Sequence, residues 1–212
     1  MNVGVLVSGG GTNLQALIDR AARQELGPAR LVVVGGNVPD CPALARARLA
    51  GLPHFVVDHR DYAHRADFDR ALAASLRSHQ VDLVVLAGFM RVLSGELLDA
   101  FPGRVINIHP ALAPAFPGVH AQKQAYDAGV KVTGCTVHFV DRGVDTGPVI
   151  AQAAVLVQDD DDDEALRARI LAEEHRLLPA VVRAIAEHRV VVEGRRVRVL
   201  GAAPGSEPLR SL

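Results

Sequence analysis

Short apolar runs alternate with longer helical patterns along the first half of the chain. Asn2–Val7 is apolar almost throughout and reads as a buried strand. A glycine loop, Ser8-Gly9-Gly10-Gly11-Thr12, follows it. A helix from about Asn13 then carries Leu14, Leu17, Ile18 and Ala21 on one face. The same alternation predicts strands over Arg30–Gly35, His54–Val57, Asp82–Ala87 and Arg104–Ile108. Helices are predicted over Pro42–Ala50, Asp61–His79 and Ser94–Phe101, the last capped by Ser94. Apolar strands alternating with helices argue for an α/β fold, with a mostly parallel twisted sheet and helices on both faces.

The pattern changes after His109. Pro110, Pro114, Pro117 and Gly118 make an irregular loop, and Ala121–Ala128 reads as a helix. Val132–Val140 and Pro148–Val157 bracket the turn-rich Asp141–Gly147, which predicts an antiparallel pair in the C-terminal half. Asp163–Glu187 reads as one long helix that Pro179 should kink or break. Val190–Val192 and Arg196–Leu200, joined by Glu193-Gly194-Arg195, read as a hairpin. With no internal repeat or linker, a single domain over residues 1–200 is expected, with a flexible tail over 201–212.

Composition narrows the function. The 212 residues are 49% hydrophobic and 22% charged with a formal net charge of −1, an ordinary globular balance. No apolar run reaches the ~18–20 residues of a membrane helix. The opening Met1-Asn2-Val3-Gly4 has no basic leader, so no signal peptide and a cytoplasmic location are expected. Cys41 and Cys135 are too few for a disulfide framework or a zinc cluster, so no metal is expected. Near-zero charge argues against non-specific nucleic-acid binding. The 21 Arg against 2 Lys are spread along the chain and form no basic patch. Aromatic residues are 4% with no Trp, which advertises no base-stacking surface.

Three segments are candidates for chemistry. Ser8–Asn13 joins a strand to a helix through glycines, the geometry that offers free N–H groups and a helix dipole to an anion. It is neither a Walker A motif, which needs a Lys, nor a dinucleotide fingerprint, since Leu14 stands where a third Gly belongs. A generic phosphate cradle with Thr12 and Asn13 as donors stands beside the plainer reading of a capped tight turn. Asn107-Ile108-His109-Pro110 is the second segment. Strand periodicity turns Asn107 and His109 the same way at the carboxyl end of their strand, where open α/β sheets hold ligands. An amide beside an imidazole suits oxyanion stabilisation, while the plainer reading is a strand closed by turn hydrogen bonds. In the third segment, Asp141–Pro148, Asp145 is placed to reach a histidine and raise its pKa, or simply to form a turn. Spacing alone does not link it to His109. The acidic run Asp159–Glu164 precedes a helix, where carboxylates favour the dipole, and lacks the spacing of a calcium loop. Cys135 and His138 read as strand residues, and His54, His59 and His64 as surface histidines.

Taken together, Ser8–Asn13, Leu86–Leu93, Ile106–Pro110, Phe116-Pro117-Gly118 and Thr133–Val140 through Gly147-Pro148 resemble the phosphoribosylglycinamide formyltransferase family, in order and spacing, over roughly Met1 to His188. The resemblance implies a Rossmann-like formyltransferase fold and two small-molecule substrates. These are glycinamide ribonucleotide, which supplies an amine, and 10-formyltetrahydrofolate, which supplies the formyl group in de novo purine biosynthesis. It implies that Gly11, Thr12, Asn13 and Glu174 bind the ribonucleotide. It assigns Arg65, Met90, Arg91, Val92, Leu93, Asn107, Val140 and Asp141 to the folate. Asn107, His109 and Asp145 match the catalytic trio. Asn107 and a protonated His109 would stabilise charge on the formyl oxygen, with Asp145 keeping His109 protonated. No metal, nucleic acid or membrane is implied, and a monomer and a homodimer both remain open.

The chain departs from the family at Ala111-Leu112-Ala113-Pro114, at Gly35-Gly36-Asn37-Val38, at Gln122 and at Leu171, all away from the trio. Two alternatives compete. One is a formyltetrahydrofolate deformylase-like hydrolase, which normally carries an extra N-terminal domain. The other is a non-catalytic phosphosugar-binding relative. Methionyl-tRNA formyltransferase, another relative, carries a further C-terminal domain for tRNA, which is not expected in a chain of this length.

Overall fold

The computed structural model describes residues 1–201, so the tail expected over 201–212 lies, but for its first residue, outside the described residues. The chain divides into two compact units, Met1–Asn107 and the part from Ile108 onward.

The first unit holds the strands β1 (Asn2–Val7), β2 (Arg30–Gly36), β3 (His54–Val56), β4 (Leu83–Leu86) and the start of β5 (Val105–His109). Their order is β3-β2-β1-β4-β5, and every pairing is parallel. The helices α1 (Thr12–Ala22), α2 (Pro42–Leu49), α3 (Arg65–Ser78) and α4 (Gly95–Ala100) connect them. From β1 the chain steps outward through α1 and α2, then returns past β1 and steps the other way through α3 and α4. With right-handed crossovers this places α1 and α2 on one face and α3 and α4 on the other. The packing agrees, α1 lying against α2 and α3 against α4. Val3, Val5, Leu6, Val7, Leu83, Val84 and Val85 are buried, as strands covered on both faces require.

The second unit holds α5 (Ala121–Asp127), β6 (Val132–Phe139), β7 (Val149–Leu156), α6 (Asp163–Ala186), β8 (Val190–Glu193) and β9 (Arg196–Val199). β6 and β7 pair antiparallel, as do β8 and β9, and α6 packs on β6 and β7. The α/β class, with parallel strands first and antiparallel strands in the C-terminal half, matches the sequence pattern. Among the described residues no helix is long and apolar enough to cross a membrane.

Three local expectations change. The helix expected from Asp61 begins at Arg65. A short 3-10 turn, His59–Asp61, precedes it because the Asp58 carboxylate accepts the Arg60 N–H at 3.0 Å. Pro179 does not break the last helix: α6 runs through it. Its neighbours Leu177, Leu178, Val181 and Val182 are all buried, and that burial offsets the missing N–H. His59 is not a simple surface histidine. It is half-buried, and its Nδ1 donates to the Asn37 carbonyl at 2.9 Å.

The acidic run has a structural account. Asp162 caps α6 by accepting the Ala165 N–H at 2.8 Å, Asp161 pairs with Arg169 at 2.5 Å, and Asp159 pairs with Lys131 at 2.5 Å.

Gly134 lets β6 and β7 approach: a Cβ there would lie 1.9 Å from the Ala153 carbonyl oxygen. Gly134→Ala is expected to destabilise the protein by about 1–3 kcal/mol, read as a lower urea midpoint. An unchanged midpoint would show that the hairpin tolerates the methyl group.

Candidate functional site

In the first unit the strand order reverses between β1 and β4, and open α/β sheets bind ligands beyond the carboxyl ends of such a pair. The Ser8–Asn13 loop leaves β1 there, and Gly88–Leu93 leaves β4. They are joined, since Ser8 N–H donates to the Gly88 carbonyl at 3.2 Å and Met90 N–H donates to Ser8 Oγ at 2.8 Å. Ser8 Oγ in turn donates to Asn37 Oδ1 at 2.6 Å.

Gly11 precedes α1 in the left-handed region at φ 72°, and among the described residues no side chain caps the helix. A Cβ at Gly11 would lie 2.5 Å from the Ala43 Cβ, so only glycine lets α2 pack this closely. Arg46 of α2 braces the loop through Nε to the Gly10 carbonyl at 2.8 Å. Gly9 and Gly10 are exposed, Thr12 is half-buried and Asn13 is buried. First-turn N–H groups beside bare glycine backbone can receive an anion.

Of the residues matched to folate in this unit, Arg65 is exposed, and Met90 and Val92 expose 68% and 47% of their surface. Leu93 is buried, and Arg91 lies over the Phe68 ring at 5.3 Å. Asn107 sits on β5 two residues before His109, so the pleat turns both toward one side.

The second unit builds its site around Asp145. His109 ends β5 and is 3% exposed, and its Nδ1 lies 3.3 Å from Asp145 Oδ2. Its Nε2 donates to the Phe116 carbonyl at 2.9 Å. His138, near the end of β6, places Nε2 3.5 Å from Asp145 Oδ1, while its Nδ1 donates to the Phe139 carbonyl at 2.8 Å. Gly118 N–H also donates to Asp145 Oδ2, at 2.8 Å. One carboxylate is thus held by two imidazoles and a backbone amide. Asp145 adopts φ 53° and Phe116 φ 52°, a conformation that costs a side-chain-bearing residue energy and is commonest where function requires it.

Side chains of the hairpin hold the loop after His109. Thr136 Oγ1 donates to the Ala111 carbonyl at 2.6 Å and accepts the Ala113 N–H at 2.9 Å. Gln152 Nε2 donates both to Thr136 Oγ1 and to the Ala113 carbonyl, each at 3.0 Å. Ala111 and Ala113, two of the departures from the family pattern, therefore contribute backbone atoms to this network. The Asp141–Gly147 loop folds on Asp141, whose Oδ1 accepts Gly143 N–H at 3.0 Å and Thr146 Oγ1–H at 2.6 Å. Arg195, at the tip of the β8–β9 hairpin, donates to the Thr146 carbonyl at 2.8 Å. Val140 is half-buried beside Asp141, and Glu174 is buried on α6. Glu174 lies close enough to Cys135 to add to the burial that pushes its thiol up to about 12. That thiol is no nucleophile.

Electrostatics set two effects against each other at His109. Burial pulls His109 below the ordinary histidine range, and this outweighs the Asp145 carboxylate and the Phe116 carbonyl, which favour the cation; His138 adds to the lowering. Asp145 therefore supports the His109 cation against a burial that opposes it. Burial would raise Asp145, yet the hydrogen bonds from His138 and Gly118 and the nearby imidazoles hold it below the usual carboxylate value.

The structure brings His109 and Asp145 together, which their spacing of 36 residues did not reveal. His138 is the residue that the sequence reading passed over. Its signal was its place two residues after Thr136 on one face of β6. Among the described residues no group of three or more His, Cys, Asp or Glu is arranged to hold a metal ion.

Residues 1–182 match the family described as formyl transferase. The chain belongs to the formyl transferase family. It is 49% identical over 191 residues to a phosphoribosylglycinamide formyltransferase of Mycobacterium tuberculosis, covering 90% of this chain and 87% of that protein. It is 51% identical over 178 residues to the trifunctional purine biosynthetic protein adenosine-3 of Drosophila melanogaster, covering 84% of this chain but spanning only 13% of that relative. A crystal structure of glycinamide ribonucleotide transformylase 1 from Symbiobacterium toebii superposes with a TM-score of 0.92 at 54% identity, covering 95% of this chain and 94% of that one. The formyl transferase resemblance read from the motifs is therefore borne out at the level of family and fold.

Asp145→Asn removes the charge that supports the His109 cation, so the His109 midpoint, already below the ordinary histidine value, is expected to fall further. Imidazole NMR titration of both proteins measures this. An unmoved midpoint would break the proposed coupling. The sign for stability follows from the same depression. The unfolded chain binds the His109 proton more readily, so this contribution is complete above about pH 6.5 and is lost as pH falls below it.

Proposed function

We propose that this protein transfers the formyl group of 10-formyltetrahydrofolate to the amine of 5-phosphoribosylglycinamide, with residues 1–200 working as one formyltransferase domain. The observation that carries the reading is the buried His109–Asp145 pair at 3.3 Å, at the end of the strand that also bears Asn107. The names of the relatives support the same reaction.

In this reading the neutral amine attacks the formyl carbon, and negative charge grows on the formyl oxygen. The Asn107 amide and His109 Nε2–H donate to that oxygen, and one such donor is typically worth about 3–4 kcal/mol. The Nε2–H is held by the Phe116 carbonyl, so the formyl oxygen takes the place of a backbone acceptor already there. Nδ1 faces Asp145, so protonating His109 adds an N–H that points at a carboxylate. Burial favours the neutral ring while Asp145 favours the cation that the growing oxyanion calls for, and the amine proton passes through a site water to the departing folate nitrogen.

Gly11, Thr12 and Asn13 receive the ribonucleotide phosphate through first-turn N–H groups and side-chain donors, and Glu174 accepts from its ribose hydroxyls. Arg65, Met90, Arg91, Val92, Leu93, Asn107, Val140 and Asp141 bind the folate. The exposed apolar side chains of Met90 and Val92 supply surface for a flat heterocycle. No step in this scheme calls for a metal.

Two measurements test the reading. Formyl loss from 10-formyltetrahydrofolate should require the ribonucleotide amine, and loss that ignores the amine would make the protein a hydrolase instead. His109→Ala should lower kcat about 10²-fold or more. Near-normal turnover in that variant would remove His109 from the mechanism.

A further inference from the structure

Asp69 is the most deeply buried carboxylate of the first unit, 0% exposed on α3. An ionised group there is costly unless it is compensated. The compensation comes from the segment after β4, because the Ser94 backbone N–H donates to Asp69 Oδ2. Oδ1 has no hydrogen-bond partner among the described residues, so the hydrogen bonding of this carboxylate runs through Ser94. Burial raises the Asp69 pKa, and hydrogen bonds from Ser94 and the charges of Arg65 and Arg91 oppose that rise.

Four residues earlier, Met90 N–H donates to Ser8 Oγ. The segment Met90–Leu93 is thus tied at its start to the loop after β1 and just past its end to α3. Within it Arg91 rests on Phe68, the neighbour of Asp69, and Leu93 is buried. Met90 and Val92 point their apolar side chains into solvent between these ties. An exposed loop that shows apolar groups needs a fixed backbone if it is to offer a ready-made surface.

We propose that Asp69 and Ser8 are positioning residues that hold the Met90–Leu93 segment at its two ends in the shape that binds the formyl donor. The proposal rests on the reading that this segment contacts the folate. Neither residue need touch the donor, since each acts through a backbone N–H of the segment. Asp69 would act on donor binding and not on the bond-making step.

The test compares Asp69→Ala, Asp69→Asn and Ser8→Ala with the parent. It measures the KM for each substrate, kcat, and amide exchange of the 90–94 peptide by mass spectrometry. Asp69→Ala should raise the KM for 10-formyltetrahydrofolate about tenfold, the scale of one lost hydrogen bond to a charged group, with kcat and the KM for the ribonucleotide little changed. Asp69→Asn keeps an acceptor for Ser94 N–H and should restore most of the loss. A purely structural role would move all three kinetic constants together and overturn the proposal. Exchange unchanged in both Asp69→Ala and Ser8→Ala would show that the ties do not hold the segment. Faster exchange with an unmoved donor KM would leave the ties standing and remove the segment from folate binding. If Asp69→Ala does not fold, Ser8→Ala tests the other tie through the donor KM and the 90–94 exchange alone, since Ser8 also roots the glycine loop, and an unchanged donor KM there overturns the proposal.

Discussion

The Asp145 carboxylate is the constraint around which the second unit is arranged. A buried carboxylate must be met by donors or positive charge: the Gly118 amide donates to it, and His109 and His138 each turn a ring nitrogen toward it. To supply them the chain brings together the end of β5, the end of β6 and the proline-rich loop between. Each imidazole also spends one N–H on a backbone carbonyl, so ring orientation and tautomer are set at both nitrogens. The left-handed backbone of Asp145 and Phe116 is the cost of this convergence. The Thr136 and Gln152 network keeps the loop from relaxing away from it.

The first unit solves a different problem. Its two loops at the reversal of strand order are exposed, and both must be ordered without being buried. Ser8 serves both, lying at the root of the glycine loop while accepting the Met90 amide. Arg46 stiffens the same loop from α2. Backbone that is pinned yet left uncovered is what a binding surface for small anionic and flat ligands requires.

Periodicity made most of the fold legible. The apolar strands, the helix faces and the terminal hairpin all lie within a few residues of where the pattern put them. The exceptions have physical causes. The Asp58 side chain captures Arg60 N–H and delays α3, and buried neighbours carry α6 through Pro179. In the site, Asn107 and His109 were legible because two residues of one strand share a face. The pairing of His109 with Asp145 was not, because contacts between distant segments leave no local signal. His138 was passed over because a buried histidine on a strand reads as ordinary core. Burial opposes the protonation of His109 that Asp145 favours, and a sequence shows the neighbouring charge but not the depth of burial.

Arginine is the cation in most of the polar ties that brace these loops: Arg46 on Gly10, Arg169 on Asp161 and Arg195 on Thr146. With 21 Arg and 2 Lys, the scaffold is built from a base that keeps its proton throughout the range in which proteins are handled. Alkaline solution therefore does not loosen these braces by deprotonating them. The small centre is built instead from imidazole rings, two of which meet at one carboxylate. The architecture thus separates a framework indifferent to mild changes in acidity from a small centre whose His109 exchanges its proton against the cost of burial.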